Sequence, residues 1–120
     1  MKFRAWDKKN EMLLPPEHVV GLYPHIGIIV VHLFDCDGYV IDQDERYMDE
    51  FDVMQYTGLK DMRGKEIWEK DIVEDSEKRR GIVRYENGCY VVMYENGCRE
   101  LLHNCHNKVK IVGNIYEGVR

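Results

Sequence analysis

The sequence predicts a mainly β fold, and three observations carry that prediction. β-branched and aromatic residues gather in short runs bounded by Gly, Pro, Asn and Asp, as strands between turns require. The pentapeptide Tyr-Glu-Asn-Gly-Cys occurs twice, at 85–89 and 94–98, and Asn-Gly between apolar runs is the strongest short-range hairpin signal. No stretch sustains helical spacing of apolar residues. With 120 residues, the chain is long enough for a core without disulfide staples. The expected architecture is one compact unit made of a small β-rich N-terminal subdomain over residues 1–57 and an SH3-like barrel formed by residues 58–120. Helical segments are short at most, and the alternative class is α+β.

In order along the chain, Phe3 and Ala5 alternate with Lys2, Arg4 and Trp6, and Lys9-Asn10 makes a turn before Met12-Leu13-Leu14. Pro15-Pro16 stops any regular element. Ile28 to Phe34 reads as a buried strand, because Ile and Val dominate it. Asp37-Gly38 suits a two-residue hairpin turn, with Tyr39-Val40-Ile41 as the returning strand. The segment from Asp44 to Phe51 is the best place for a short helix.

The repeated pentapeptide predicts a meander of Ile82 to Glu86, Cys89 to Glu95 and Cys98 to Leu102, because both central residues of a type I′ turn need positive φ. Two-residue loops fix the register. Val83, Tyr85, Tyr90, Val92, Tyr94 and Leu101 then share one face, the better core candidate. Ile82, Cys89, Val91, Met93 and Leu102 share the other, which is apolar enough to be covered by another segment or subunit. Val91 and Met93 are therefore candidates for self-association. In front of the meander, Asp71-Ile72-Val73, the charged loop Glu74 to Arg80, and Gly81-Ile82-Val83-Arg84-Tyr85 look like the opening of an SH3-like barrel, which Lys108 to Ile115 would close.

Three stretches carry a family resemblance: Lys2-Phe3-Arg4-Ala5-Trp6-Asp7, the segment from Val53-Met54-Gln55-Tyr56-Thr57-Gly58 through Leu59-Lys60-Asp61-Met62-Arg63-Gly64-Lys65 to Ile67-Trp68-Glu69-Lys70-Asp71-Ile72-Val73, and the ending Ile111-Val112-Gly113-Asn114-Ile115-Tyr116-Glu117. Gly58 and Gly64 stand where an apolar run stops and a polar turn follows, positions that call for positive φ or close chain approach. Together these words resemble the YopX family of small phage and prophage proteins. The resemblance implies a homo-oligomer in the cytoplasm of a bacterial host, and it brings no catalytic or ligand-binding residues with it. Residues 15–52 match these words poorly, so any specificity peculiar to this chain is expected there.

Charge and composition narrow the function classes. The net charge of −5 repels nucleic-acid phosphates at long range, which disfavours a general DNA coat. Lys78, Arg79 and Arg80 form the one tight basic cluster and are the candidate contact for nucleic acid or another partner. Tyr56, Trp68, Tyr85, Tyr90, Tyr94 and Tyr116 would stack bases if exposed beside it, whereas aromatics of a small β domain are ordinarily core. The longest apolar run, Ile26 to Val31 broken by Gly27, is too short to cross a bilayer. The charged N-terminus predicts no signal peptide, and reduced cysteines in a cytoplasm follow from that expectation.

Catalytic signals are weak. Gly58 and Gly64 lack the Gly-Lys-Ser/Thr ending of a phosphate loop, and Asp35-Cys36-Asp37-Gly38 fails as a calcium loop because Leu33 would occupy the first ligand position. The expectation is a non-catalytic binding module without a cofactor, acting on an unidentified phage or host macromolecule. Nucleic-acid binding is the alternative, and an enzyme of unknown reaction is a third. Cys89, Cys98, His103, Cys105 and His106 offer zinc chemistry but lack a Cys-x₂-Cys knuckle. The predicted register also pairs Cys89 and Cys98 with glutamates across their turns, away from each other.

Overall fold

A computed structural model describes residues 2–119. It is mainly β, with one short α-helix and three 3-10 turns among the described residues. The chain divides into two compact units, Met1–Met54 and Gln55–Arg120.

In the first unit, β1 (Phe3–Asp7) pairs antiparallel with β2 (Met12–Leu14), Ala5 facing Leu14. A 3-10 turn at Pro16–His18 starts on the second proline of the pair. A three-stranded antiparallel sheet then forms in the order β3 (Val19–Tyr23), β4 (Ile28–Phe34), β5 (Val40–Tyr47). The core gathers Ala5, Leu14, Ile29, Val31 and Phe51, all buried. Each of the four larger side chains contributes about 1.5–3 kcal/mol by leaving water. Arg46 locks this unit: its guanidinium donates to Asp7 Oδ2 at 2.7 Å and to Glu50 Oε2 at 2.8 Å. The same group lies 4.5 Å over the Phe51 ring. Burial alone would raise the Asp7 carboxyl pKa, but hydrogen bonds from Arg46 and Asn10 outweigh it and hold the value below the usual range.

Two local expectations fail here for physical reasons. The helix expected over Asp44 to Phe51 is the end of β5 followed by a 3-10 turn at Met48–Glu50. Pairing with the apolar β4, Val30 opposite Glu45 and Val31 opposite Asp44, overrides the weak local pattern. The Asp37-Gly38 turn is not a two-residue loop. Asp35 and Tyr39 close it, with Asp35 N donating to Tyr39 O at 2.9 Å. The Asp35 carboxylate accepts the Asp37 and Tyr39 amides, both at 2.9 Å.

β6 (Phe51–Lys60) begins in the first unit and ends in the second, where it pairs with β7 (Glu66–Trp68), Tyr56 facing Trp68. The second unit is built on a six-stranded antiparallel sheet. Its order is β11 (Arg99–Leu101), β10 (Cys89–Tyr94), β9 (Arg80–Glu86), β8 (Asp71–Glu74), β12 (Lys110–Asn114), β13 (Gly118–Val119). The curled strands and the β8–β12 pairing, with a bulge between Ile111 and Gly113, are consistent with a barrel-like fold. Val73, Val83, Val92 and Tyr94 point into one core with Ile67 and Val109, and α1 (Leu102–Cys105) adds Leu102 and Cys105 to it.

The first hairpin of the meander is as expected. Glu86 faces Cys89, and Asn87 and Gly88 take φ of 50° and 84°. The second is not. Met93 faces Arg99 and Val92 faces Glu100, because Tyr94 N donates to Cys98 O and encloses three residues, Glu95, Asn96 and Gly97. That extra residue moves Leu101 to the face opposite the expected one, where it is exposed. Leu102, expected on the outer face, instead starts α1 and is fully buried.

Candidate functional site

Most of the residues that carry the family resemblance lie in the second unit, where several of them hold its turns together. Asp61 Oδ1 accepts the amides of Arg63 and Lys65, both at 2.9 Å, and Oδ2 accepts the Ile111 amide at 3.0 Å, tying the turn to β12. Burial would raise its pKa, but those three N–H groups and the Arg63 charge outweigh burial and lower it. Asp71 Oδ2 accepts the Trp68 amide at 2.8 Å. Asn114 Oδ1 accepts the amides of Tyr116 and Glu117 at 3.0 and 2.9 Å. Gly64 takes a φ of +79° inside the Asp61 turn. At Gly113, a Cβ would overlap the Gly118 carbonyl, so only glycine fits. The side chains of Asp61, Asp71 and Asn114 thus all hold main chain in place.

The basic cluster sits on the β8–β9 hairpin and is matched by its neighbours. Arg79 Nε lies 2.8 Å from Asp75 Oδ2 and 3.7 Å from Glu77. Arg80 Nε lies 3.0 Å from Glu74 Oε2, and Lys110 Nζ lies 3.7 Å from Glu74 Oε1. The Arg80 hydrogen bond is the main cause of a lowered Glu74 pKa. Lys78 makes no ion pair among the described residues, and its backbone is left-handed, with φ of 63°. Beside the hairpin lies a cleft of about 580 Å³ reached by Lys78, Arg79, Arg80 and Asn96 and floored by Tyr94. Three positive charges in sequence therefore amount to little net charge in space.

The aromatics do not gather there as a stacking platform. Trp68 is buried and lies 5.3 Å from Tyr56, ring to ring. Tyr94 is buried too, and burial pushes its pKa up to about 12. Tyr85 is exposed but pairs edge-on with Tyr90 at 5.0 Å.

The cysteines and histidines weighed for zinc are scattered by the fold. Cys89 opposes Glu86 as expected, whereas Cys98 opposes Tyr94, not Glu95. Both thiols are free and exposed. Cys105 is in the core, where burial pushes its pKa up to about 11. His106 Nδ1 lies 2.8 Å from the Lys60 carbonyl. Among the described residues no group of three or more His, Cys, Asp or Glu is placed to hold a metal ion.

Val91 and Met93 share the outer face of the six-stranded sheet but differ in exposure. Val91 is only 8% exposed, so it is already part of the protomer's interior. Met93 is half-buried and faces Ile82, which faces Ile72 on the next strand. The three form an apolar row across β10, β9 and β8, and with Val119 they line a groove of about 360 Å³. Ile72 was not singled out in the sequence; the β8–β9 register, Ile72 opposite Ile82, adds it.

One pair of residues was missed altogether. His18 and His32 bring their Nδ1 atoms within 3.1 Å of each other in the first unit. They lie far apart in sequence and meet only because the 3-10 turn returns alongside β4, so no spacing rule marks them.

Comparison with known proteins places the whole chain. The crystal structure of protein EF1440 from Enterococcus faecalis is similar, with a TM-score of 0.55 and 22% sequence identity over 96% of this chain and 92% of that one. At that identity the likeness shows a shared fold. No curated protein matches the chain. The model of the YopX protein family matches residues 2–119, nearly the full length and all three quoted stretches, and the chain belongs to the YopX family.

Proposed function

We propose that the protein is a non-catalytic binding module that assembles with copies of itself through the outer face of the six-stranded sheet. The observation that carries this reading is the Ile72–Ile82–Met93 row, an apolar strip across three neighbouring strands on the face turned away from the core. On β11 the row meets Arg99, and exposed Leu101 lies on the same face opposite Val91. The same face bears Arg84, Glu86 and Arg99, both signs of charge, which suits a two-fold contact in which one patch meets its own copy. The partner is an unidentified phage or host macromolecule, and the setting is the cytoplasm of a bacterial host carrying phage or prophage; this part of the reading leans on the family resemblance. No helix among the described residues is long and apolar enough to cross a membrane. A nucleic-acid reading through Lys78, Arg79 and Arg80 stands second, because Arg79 and Arg80 already have carboxylate partners.

Native mass spectrometry on the full chain tests the proposal. The expected result is a discrete multiple of the 14.3 kDa protomer, reduced to monomer by Met93→Lys with the fold retained. Val91→Lys is the wrong probe, since a charge at that buried position unfolds the protomer. A wild-type monomer at micromolar concentration overturns the assembly. Retained nucleotide mass moves the reading to the basic hairpin.

A further inference from the structure

We propose that His18 and His32 form a two-imidazole site for a zinc-class divalent metal ion in the first unit. Their Nδ1 atoms converge at 3.1 Å, with the rings 5.4 Å apart and inclined at 68°. Metal–imidazole bonds of about 2.05 Å across that gap subtend an angle of roughly 100° at the ion, close to the tetrahedral value zinc adopts. The spacing of the two nitrogens therefore suits one shared metal ion. Phe34 stands edge-on to the His18 ring at 4.7 Å and 86°, which packs that ring in place.

The surroundings decide which ion and how tightly. The pair lies in a cleft of about 620 Å³ whose wall includes Leu14, Val31 and Phe34, with Asp35, Cys36 and Asp44 also lining it. Asp7 reaches the same cleft but is held by Arg46 and Asn10. Asp35 Oδ1 is taken by two backbone amides. No third His, Cys, Asp or Glu completes a cluster among the described residues. The remaining coordination positions are thus open to water or to a donor atom on a bound molecule, the arrangement of an exchangeable rather than a structural site. Imidazole nitrogen selects zinc, copper, nickel or cobalt over magnesium and calcium, which need oxygen ligands. The competing occupant of the same gap is a single proton, shared as an N–H···N bond between complementary tautomers. The site lies in the first unit and is independent of the assembly face on the second.

The test is a zinc titration of the full chain, purified without affinity-tag metal and washed with chelator, followed through histidine ring resonances. The expected result is saturation at one equivalent, with the His18 and His32 rings shifting together while those of His25, His103 and His106 do not. His18→Ala and His32→Ala should each weaken binding by about tenfold or more, as loss of one of two protein ligands implies, and His103→Ala should leave it unchanged. Acidification should weaken binding, since protons compete for the same nitrogens. If either variant fails to fold, the wild-type ring shifts decide alone. No shift at millimolar zinc, or a shift confined to the other three histidines, overturns the site and leaves the pair as a shared-proton hydrogen bond.

Discussion

The two copies of Tyr-Glu-Asn-Gly-Cys close their hairpins differently. In the first, Glu86 and Cys89 pair directly and both Asn87 and Gly88 are left-handed, at φ of 50° and 84°. In the second, Tyr94 and Cys98 close the loop and only Gly97 is left-handed, at 86°. There Asn96 contributes through its side chain, whose Oδ1 accepts the Cys98 amide at 3.0 Å. Identical residues thus support two loop lengths, and what lies downstream chooses between them. After the first copy the chain continues as β10, whose Val92 and Tyr94 must reach the core. After the second, only β11 precedes α1, and fully buried Leu102 must enter the same core. The longer loop turns Leu101 outward and lets the next residue start the helix inward.

The sharpest way to break this account is Leu102→Ala. Removing a fully buried leucine side chain costs about 2–5 kcal/mol, read as a lowered urea midpoint. If Leu102 sets the second register, amide protection should fall first across the Val91–Leu101 and Met93–Arg99 pairs. The Glu86–Cys89 closure should hold until global unfolding. Equal loss of protection at both hairpins would show that the second loop is chosen by its own residues.

The same contrast shows what could be read from sequence. Asn87-Gly88 was legible because a type I′ turn depends on two residues and little else. The strands at 28–34 and 71–74, and positive φ at Gly58 and Gly64, were legible for similar local reasons. The turns at Asp37-Gly38, 60–65 and 74–80 were placed too, but how they close, at Asp35–Tyr39, Asp61–Lys65 and Asp75–Arg79, was not legible. All three share one device, an aspartate whose Oδ1 accepts two following amides at 2.9 Å. The pattern Asp-x-x-Gly marks the first two. In the third, Lys78 occupies the left-handed position with φ of 63° and hides the signal. The basic cluster misled in a related way: Glu74, Asp75 and Glu77 were visible beside it, but only the folded hairpin shows that they hold Arg79 and Arg80. The apolar row and the histidine pair depend on which strands become neighbours, and periodicity does not carry that information.

A smaller effect separates the two asparagines. Asn87→Ala should cost about 1 kcal/mol, because alanine tolerates the left-handed region less well than asparagine. Asn96→Ala should cost roughly 0.5 kcal/mol, the worth of one exposed hydrogen bond to the Cys98 amide. Asn87→Gly should restore stability fully, since glycine takes positive φ without strain. Thermal melts of the three variants check the order. Equal losses at the two alanine variants would mean that the loops do not differ in solution.

The smallest effect tests the register by charge. Arg99 Nε lies 2.9 Å from Glu86 Oε2, with the side chains 52% and 28% exposed. The three-residue loop makes this contact possible, because it puts Arg99 on the outer face beside Met93, where Glu86 also lies. A two-residue loop would turn Arg99 to the opposite face. A double-mutant cycle of Glu86→Ala and Arg99→Ala should therefore show a coupling of about 0.2–1 kcal/mol at low ionic strength. That coupling should fade as salt screens the pair. Measurable coupling brings the side chains of residues 86 and 99 within reach of each other in solution and supports the longer loop independently of Leu102, whereas zero coupling at low salt, with both single variants folded, would remove that support.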